Sequence, residues 1–290
     1  MAKLLDGSLV VAALKKKQRE AVSKLELEGL VPTIGIIRVG KKKDDISYEK
    51  SVVKQAASVG VAVKKIVLPD KTTQEQLLTI IKQMNEDSSI HGVLLFRPLP
   101  NHIADEIIRN ALEPKKDVDG IGDGSLAGVF TGGKTGFPPC TAQACMEILD
   151  YYDIDLAGKK VVIIGRSLVV GKPAAMMAIA KNATVTICHT KTVDMQSICR
   201  NADILIAAAG KAGIIDKNFL SKGQVVIDVG IHVDESGKLC GDVNYIDAGP
   251  IVDALTPVPG GVGAVTTSVL VGNTITAARK SLELFIVCQA

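Results

Sequence analysis

The chain has 290 residues, of which 47% are hydrophobic, 22% charged and 3% aromatic, with no Trp and a formal net charge of +3. That length suggests two domains with ample core, while so small a charge, with no aromatics interleaving the short basic runs at 15–17 and 41–43, excludes a nucleic-acid surface. No apolar run is long enough to span a bilayer and no signal peptide is read, so a cytoplasmic protein without membrane contact is expected.

Helical periodicity with a charged face covers residues 9–27. Residues 33–39 read as a short apolar strand ending at Gly40, 46–59 as a helix, 62–68 as a strand, and 73–86 as a helix opened by a Thr cap. Residues 92–96 form a strand stopped by Pro98 and Pro100, and 103–111 a helix. The stretch 114–139, rich in Gly, Pro and Asp, is expected to be loop and domain junction. A helix starting at Thr141 leads into strands at Val161, Thr184, Ile204 and Val225. A second Gly/Pro loop spans 256–263, and a long last helix from Thr266 is expected to return to the first domain. This alternation predicts an α/β protein of two domains around a cleft, 1–139 with the helix 266–290, and 140–265, the second a Rossmann-like doubly wound parallel sheet. Cys140, Cys145, Cys188, Cys199, Cys240 and Cys288 include no CxxC pair, and the four histidines no HxxxH pair. Free thiols, a reducing compartment and no metal site are expected.

The strand Val161-Val162-Ile163-Ile164 runs straight into Gly165-Arg166-Ser167, with Gly171 opening helix-forming sequence. Strand, glycine loop and helix N-terminus make a phosphate cradle, because free N–H groups and the helix dipole both favour an anion. The spacing is not GxGxxG, and the same residues also suit a plain tight turn. A second strand, 183–189, ends in Cys188-His189-Thr190-Lys191, without the acid that holds a ribose hydroxyl in NAD sites. With Arg166 in the first loop, this favours NADP; the other reading makes Arg166 and Lys191 solvated surface charges.

Four segments, Lys116-Asp117-Val118-Asp119-Gly120, Pro139-Cys140-Thr141, Gly165-Arg166-Ser167 with Val170-Gly171, and the run from Thr256 to Gly263 containing Pro259-Gly260-Gly261, resemble the bifunctional methylenetetrahydrofolate dehydrogenase/cyclohydrolases. Tyr48, eight residues after Gly40 and twelve before Gly60, fits the same pattern. The resemblance covers nearly the whole chain. It implies a folate site between the domains, NADP on the second, and a homodimer. Tyr48 and Asp119 become the catalytic and substrate-binding residues, with Pro259, Gly260 and Gly261 as a wall of the pocket. Gly165, Arg166, Ser167, Gly171, His189, Thr190 and Ile231 become the cofactor contacts. The chemistry agrees: a flat heteroaromatic amide ring needs an acceptor pair, which Asp119 supplies, and a ring to pack on, which Tyr48 supplies. Read alone, Tyr48 also suits a half-buried helix tyrosine and Asp119 a loop-capping one.

The chain departs from the family at three places. A family lysine four positions after the tyrosine is here Val52, in a register fixed by Gly40 and Gly60. Lys50 and Lys54 are each two residues off, roughly 200° around a helix. A family glutamine that supports this lysine is here Phe96, followed by Arg97 where the family has an apolar residue. After Asp119, the family's Asn and Gly-Arg-Leu become Ser125 and Ala127-Gly128-Val129.

The family runs two reactions. Hydride transfer from methylenetetrahydrofolate to NADP needs positioning of two carbon centres, with the chemistry carried by the cofactor. Hydrolysis of the methenyl cation needs proton transfer, a contribution of typically 10²–10⁴-fold. Val52 and Phe96 cannot supply it, and Arg97 is a poor base. The expected function is NADP-dependent oxidation of 5,10-methylenetetrahydrofolate with weak or lost cyclohydrolase activity. The alternatives are a bifunctional enzyme in which Arg97 or another group stands in, a non-catalytic folate-binding relic, or a Rossmann dehydrogenase of another small molecule such as a shikimate-like acid.

Overall fold

The computed structural model describes residues 2–289, with side chains to residue 283. In chain order the elements are β1 (Lys3–Leu4), α1 (Gly7–Leu27), β2 (Thr33–Val39), α2 (Lys43–Ala57), β3 (Ala62–Leu68), α3 (Gln74–Glu86), β4 (Gly92–Leu95), α4 (Asp105–Ala111), α5 (Asp123–Thr131) and α6 (Cys140–Tyr151). There follow β5 (Lys160–Ile164), α7 (Gly171–Ala180), β6 (Thr184–Cys188), α8 (Met195–Arg200), β7 (Ile204–Ala207), β8 (Val225–Asp228), β9 (His232–Val233), β10 (Leu239–Cys240), α9 (Tyr245–Ala248), β11 (Ala254–Leu255) and α10 (Val262–Gln289). Two compact units result, one of 13–138 with 267–289, the other of 139–266 with 2–12.

In the 13–138 unit, three parallel strands lie in the order β3-β2-β4. β2 is buried from Ile34 to Val39, as a central strand covered on both faces must be. Its core gathers Ile37, Val39, Leu77, Ile81, Val93, Leu95 and Ile108. The edge strand β3 turns Lys64 and Lys65 outward to Asp87 and Glu49, charges that discourage pairing with another strand. Thr73 caps α3 in a capping box with Gln76, so the sequence signal for that helix start has its physical cause.

The 139–266 unit holds a six-stranded parallel sheet in the order β1-β11-β8-β7-β5-β6. The chain runs from β5 outward to β6 and then back to the other side of β5 with β7. That reversal is the topological switch point where doubly wound sheets bind ligands.

Two expectations are corrected. Residues 2–12 do not belong with the first domain, because Lys3 and Leu4 pair with Ala254 and Leu255 at the edge of the six-stranded sheet. The stretch 114–139 is not all loop, since α5 forms within it despite two glycines, Gly124 and Gly128. The Asp117 carboxylate, 1% exposed, accepts the Ile121 and Gly122 amides at 3.0 and 2.8 Å and the Ser125 hydroxyl at 2.6 Å, which organises the turn into α5. Gly128 is there for space: a Cβ would collide with the Thr135 carbonyl.

Cys140, Cys145, Cys188, Cys199 and Cys240 are free thiols, and Cys288 lies outside the described side chains. Among the described residues no helix is long and apolar enough to cross a membrane, and no group of three His, Cys, Asp or Glu could hold a metal ion.

Candidate functional site

At the switch point β5 ends at Ile164, and Gly165 turns the chain with φ +125°, a conformation that L side chains rarely adopt. A Cβ on Gly165 would strike the Ala208 carbonyl, and one on Gly171 would strike the Gly165 carbonyl. The loop is therefore closed down onto the first turn of α7, with space for backbone alone. Ser167 Oγ accepts the Val170 amide at 3.1 Å and fixes the curl before α7. Arg166 is exposed beside this loop. Ile164 is in register with Cys188, and the Gly165 amide bonds the Cys188 carbonyl at 2.9 Å. His189 and Thr190 thus follow the strand next to Arg166. The His189 amide donates to Thr192 Oγ1 and its ring Nδ1 accepts the Lys191 amide, so the turn is held without any carboxylate.

The loop after β7 completes this end of the sheet, and its anchor was not foreseen. Asp242, fully buried, accepts the amides of Ala209, Gly210 and Lys211 at 2.6, 3.0 and 2.9 Å, and His232 Nε2 donates to it at 2.7 Å. Asp228 stands behind it, accepting the amides of Gly230, Asp242 and Val243, each at 3.0 Å. Burial pushes Asp228 up to about 6 in spite of those donors. An isolated Gly-Asp after a hairpin carries no periodic signal, which is why sequence reasoning passed over Asp242.

Pro259, Gly260, Gly261 and Ile231 line a cavity of about 300 Å³ in the same unit, together with Asp228 and Gly230. Gly260 has φ +102°, and its carbonyl accepts the Gly7 amide at 2.8 Å.

In the 13–138 unit, Tyr48 sits half-buried on α2. Glu49 beside it is buried and pairs with Arg38 of β2 at 2.8 Å and with Lys65 of β3 at 3.4 Å, which ties α2 to the sheet. Burial alone would raise the Glu49 pKa, but its bonds to Arg38 and Lys65 outweigh this and hold it below the ordinary value. Glu49, Val52 and Ala56 are the buried positions of α2, and Val52 is 0% exposed. Position 52 is thus a core residue here, while Lys50 and Lys54 are exposed.

Phe96 follows β4 and is 7% exposed. Its ring meets Tyr48 edge-on, with centroids 5.9 Å apart and planes at 71°, a favoured aromatic geometry. Arg97 is bound by both Asp105 oxygens, one at 2.6 Å. Its pKa is raised chiefly by Asp105, with further contributions from the charges of Asp119 and Asp117. Asp119 is half-buried at the end of a segment pinned on two sides. The Val93 amide bonds the Lys116 carbonyl at 2.7 Å, and Asn273 Nδ2 donates to the Val118 carbonyl at 3.0 Å. Gly92 permits this approach, since a Cβ would collide with Val118. Tyr48, Phe96, Arg97 and Asp119 therefore belong to one constellation in this unit. Pro259, Gly260, Gly261 and the glycine loop belong to the other.

Residues 5–119 match the tetrahydrofolate dehydrogenase/cyclohydrolase catalytic domain, and residues 139–282 the NAD(P)-binding domain of the same family. The Bifunctional protein FolD of Carboxydothermus hydrogenoformans is 47% identical over 279 residues, spanning 96% of this chain and 97% of that protein. The bifunctional FolD methylenetetrahydrofolate dehydrogenase/cyclohydrolase of Campylobacter jejuni superposes with a TM-score of 0.94 at 38% identity, over 97% of this chain and 99% of that one. The Trypanosoma brucei methylenetetrahydrofolate dehydrogenase-cyclohydrolase, complexed with NADP cofactor and inhibitor, gives 0.91 at 35% identity over 97% and 98%. Agreement on this scale, in both units and along nearly the full length, shows that the chain belongs to the tetrahydrofolate dehydrogenase/cyclohydrolase family.

Proposed function

We propose that this protein oxidises 5,10-methylenetetrahydrofolate to the 5,10-methenyl cation with NADP and does not hydrolyse the product efficiently. The observation that carries the second half is Val52, fully buried one helical turn after Tyr48, with Phe96 against the tyrosine ring.

The glycine loop fits a dinucleotide. Both Gly165 and Gly171 leave backbone where a Cβ would collide, and the positive end of the α7 dipole opens on that loop. Arg166, Ser167, His189 and Thr190 are assigned to the adenosine phosphate end, with no acid present to repel a 2′-phosphate. Ile231 and the Pro259-Gly260-Gly261 cavity are assigned to the reacting end. Bound NADP supplies the hydride acceptor. Tyr48 packs against the folate ring and Asp119 accepts its amide hydrogens, so the two orient the donor carbon. Asp119 and the aromatic pair tolerate the positive charge that grows on the folate, and no ammonium stands at position 52 to oppose it.

Hydrolysis requires a group that moves a proton, and beyond Tyr48 and Asp119, which are taken up in orienting the folate, the constellation offers none. Val52 and Phe96 carry no such group. Arg97 is held protonated by Asp105. The relatives named bifunctional favour a second reading, in which hydrolysis persists through Arg97 or Lys54. The Arg97–Asp105 pair and the exposure of Lys54 both weigh against it.

The test follows reduced cofactor and methenyl product separately, from methylenetetrahydrofolate with NADP or NAD. NADPH and methenyl product are expected to appear in equal amounts, with NADP preferred. No reduced cofactor would leave a folate-binding relic, and methenyl product lagging behind NADPH would favour the bifunctional reading.

A further inference from the structure

A second cavity, of about 430 Å³, belongs to the 13–138 unit at the opposite end of β4 from Phe96. Ile90 and His91, which precede β4, line it; the step from His91 to Phe96 is roughly 17 Å at a strand rise of 3.3 Å per residue. It is therefore not part of the Tyr48–Asp119 constellation. Phe137, Ala277 and Pro114 give it an apolar wall. Its volume lies within the range of small-molecule sites, which combine such walls with a few placed polar groups.

The charged groups are mostly of one sign. Lys115, Lys116, Lys134 and Lys280 all line the cavity, against Glu86 as the one carboxylate of the lining. Lys280 holds its ammonium 4.8 Å from the centroid of the Phe137 ring. Lys116 is 7% exposed, with two of its N–H bonds spent on the Met84 and Asp87 carbonyls, both at 2.7 Å. His91, also 7% exposed, accepts the Thr33 amide at Nδ1 over 3.1 Å. The ring proton must then sit on Nε2, because a neutral imidazole has one donor and one acceptor. Burial, with the charge of Lys116, lowers the His91 pKa and so disfavours the charged ring. Nε2 has no hydrogen-bond partner among the described residues. His91 lines a hollow whose charged groups are mostly positive, so its Nε2–H is a donor open to a ligand there.

We infer that this cavity binds a small organic anion, a carboxylate or phosphate monoester carried on a single flat apolar ring. The ring packs on Phe137 and Ala277, and the anionic group takes the His91 Nε2–H and the ammoniums of Lys134 and Lys280. A lysine rim alone would attract any anion. Phe137 and buried His91 add a demand for an apolar body and for an acceptor.

The experiment titrates the protein with phenyl phosphate, benzoate, inorganic phosphate and neutral benzyl alcohol. It follows the His91 ring resonances by NMR, assigned by their absence in His91→Gln. Phenyl phosphate or benzoate is expected to shift them saturably, whichever binds tighter naming the anionic group preferred. Benzyl alcohol and inorganic phosphate should bind at least about tenfold more weakly, since each lacks one half of the ligand. The double variant Lys134→Ala with Lys280→Ala, both outside the reaction site, should lose about tenfold in affinity with its melting temperature and dehydrogenase rate unchanged; one charge-assisted contact is enough for that loss. The inference is overturned by no saturable shift with either ring anion, by equal binding of benzyl alcohol or inorganic phosphate, or by unchanged affinity in the double variant. The readout is binding, so it stands or falls separately from the reaction proposed above.

Discussion

The two units differ in how much freedom their sites have kept. In the 139–266 unit, the cofactor end is determined by backbone: Gly165 and Gly171 fit only without a Cβ, and the loop after β7 is drawn in by Asp242. In the 13–138 unit, the proposed site rests on side chains: Val52 lies fully in the core and Phe96 packs edge-on against Tyr48. The lesson is chemical. Hydride transfer is served by positioning, which backbone and packing provide. Hydrolysis depends on a titratable side chain, which one or two substitutions remove without disturbing the fold.

The largest effect expected concerns those two positions. Val52→Lys alone should restore little hydrolysis and should lower the melting temperature, because the ammonium would enter a fully buried position while Phe96 stays apolar. Val52→Lys with Phe96→Gln should raise methenyl hydrolysis by about 10²–10⁴-fold, the range of a positioned proton-transfer group. Full hydrolysis from the single change would show that the two positions are not coupled.

The next effect sharpens the other side of the comparison. Gly171→Ala should weaken NADP binding by more than about 100-fold, or prevent the loop from closing, since the methyl group would meet backbone that cannot move aside. A cofactor fluorescence titration reads this. Near-normal affinity would mean that the glycine loop is a turn and not a cradle.

Asp242→Asn tests the anchor behind that loop. Three backbone amides and His232 rely on the carboxylate, and a hydrogen bond to a charged group contributes about 1.5–3 kcal/mol. The KM for NADP should rise about tenfold while the KM for the folate stays within about twofold. An equal rise in both would make Asp242 a general stability residue and not a cofactor-loop anchor.

The smallest effect is a matter of discrimination. Arg166→Ala should weaken NADP by about tenfold and NAD hardly at all, because one exposed charge-assisted contact is lost only with the 2′-phosphate. Equal weakening of both would take Arg166 out of that role.

Much of this was legible in the chain. β2 and β3 lie at the residues their apolar runs indicate, and α3 starts where Thr73 caps it. Gly165 was readable as a turn because a β-branched run stops there. What escaped was long-range or local in an aperiodic way. Lys3 and Leu4 are too short a strand to stand out, and only their pairing with Ala254 and Leu255 makes them one. α5 hides behind its glycines, and its start depends on Asp117, a residue that the sequence offers only as the neighbour of Asp119. Ser125, read as a departure from the family, proves to donate its hydroxyl to Asp117. The pairing of Tyr48 with Phe96 joins residues 48 positions apart, beyond the reach of any periodic pattern.

The central claim is that the reaction stops at the methenyl cation. The most direct measurement adds enzyme to chemically prepared methenyltetrahydrofolate, without cofactor, and follows the decay of its absorbance against enzyme-free buffer. The account predicts equal decay in both at an enzyme concentration that gives strong dehydrogenase turnover. Decay accelerated in proportion to enzyme would contradict it, and would direct attention to Arg97 and Lys54 as the group that carries hydrolysis.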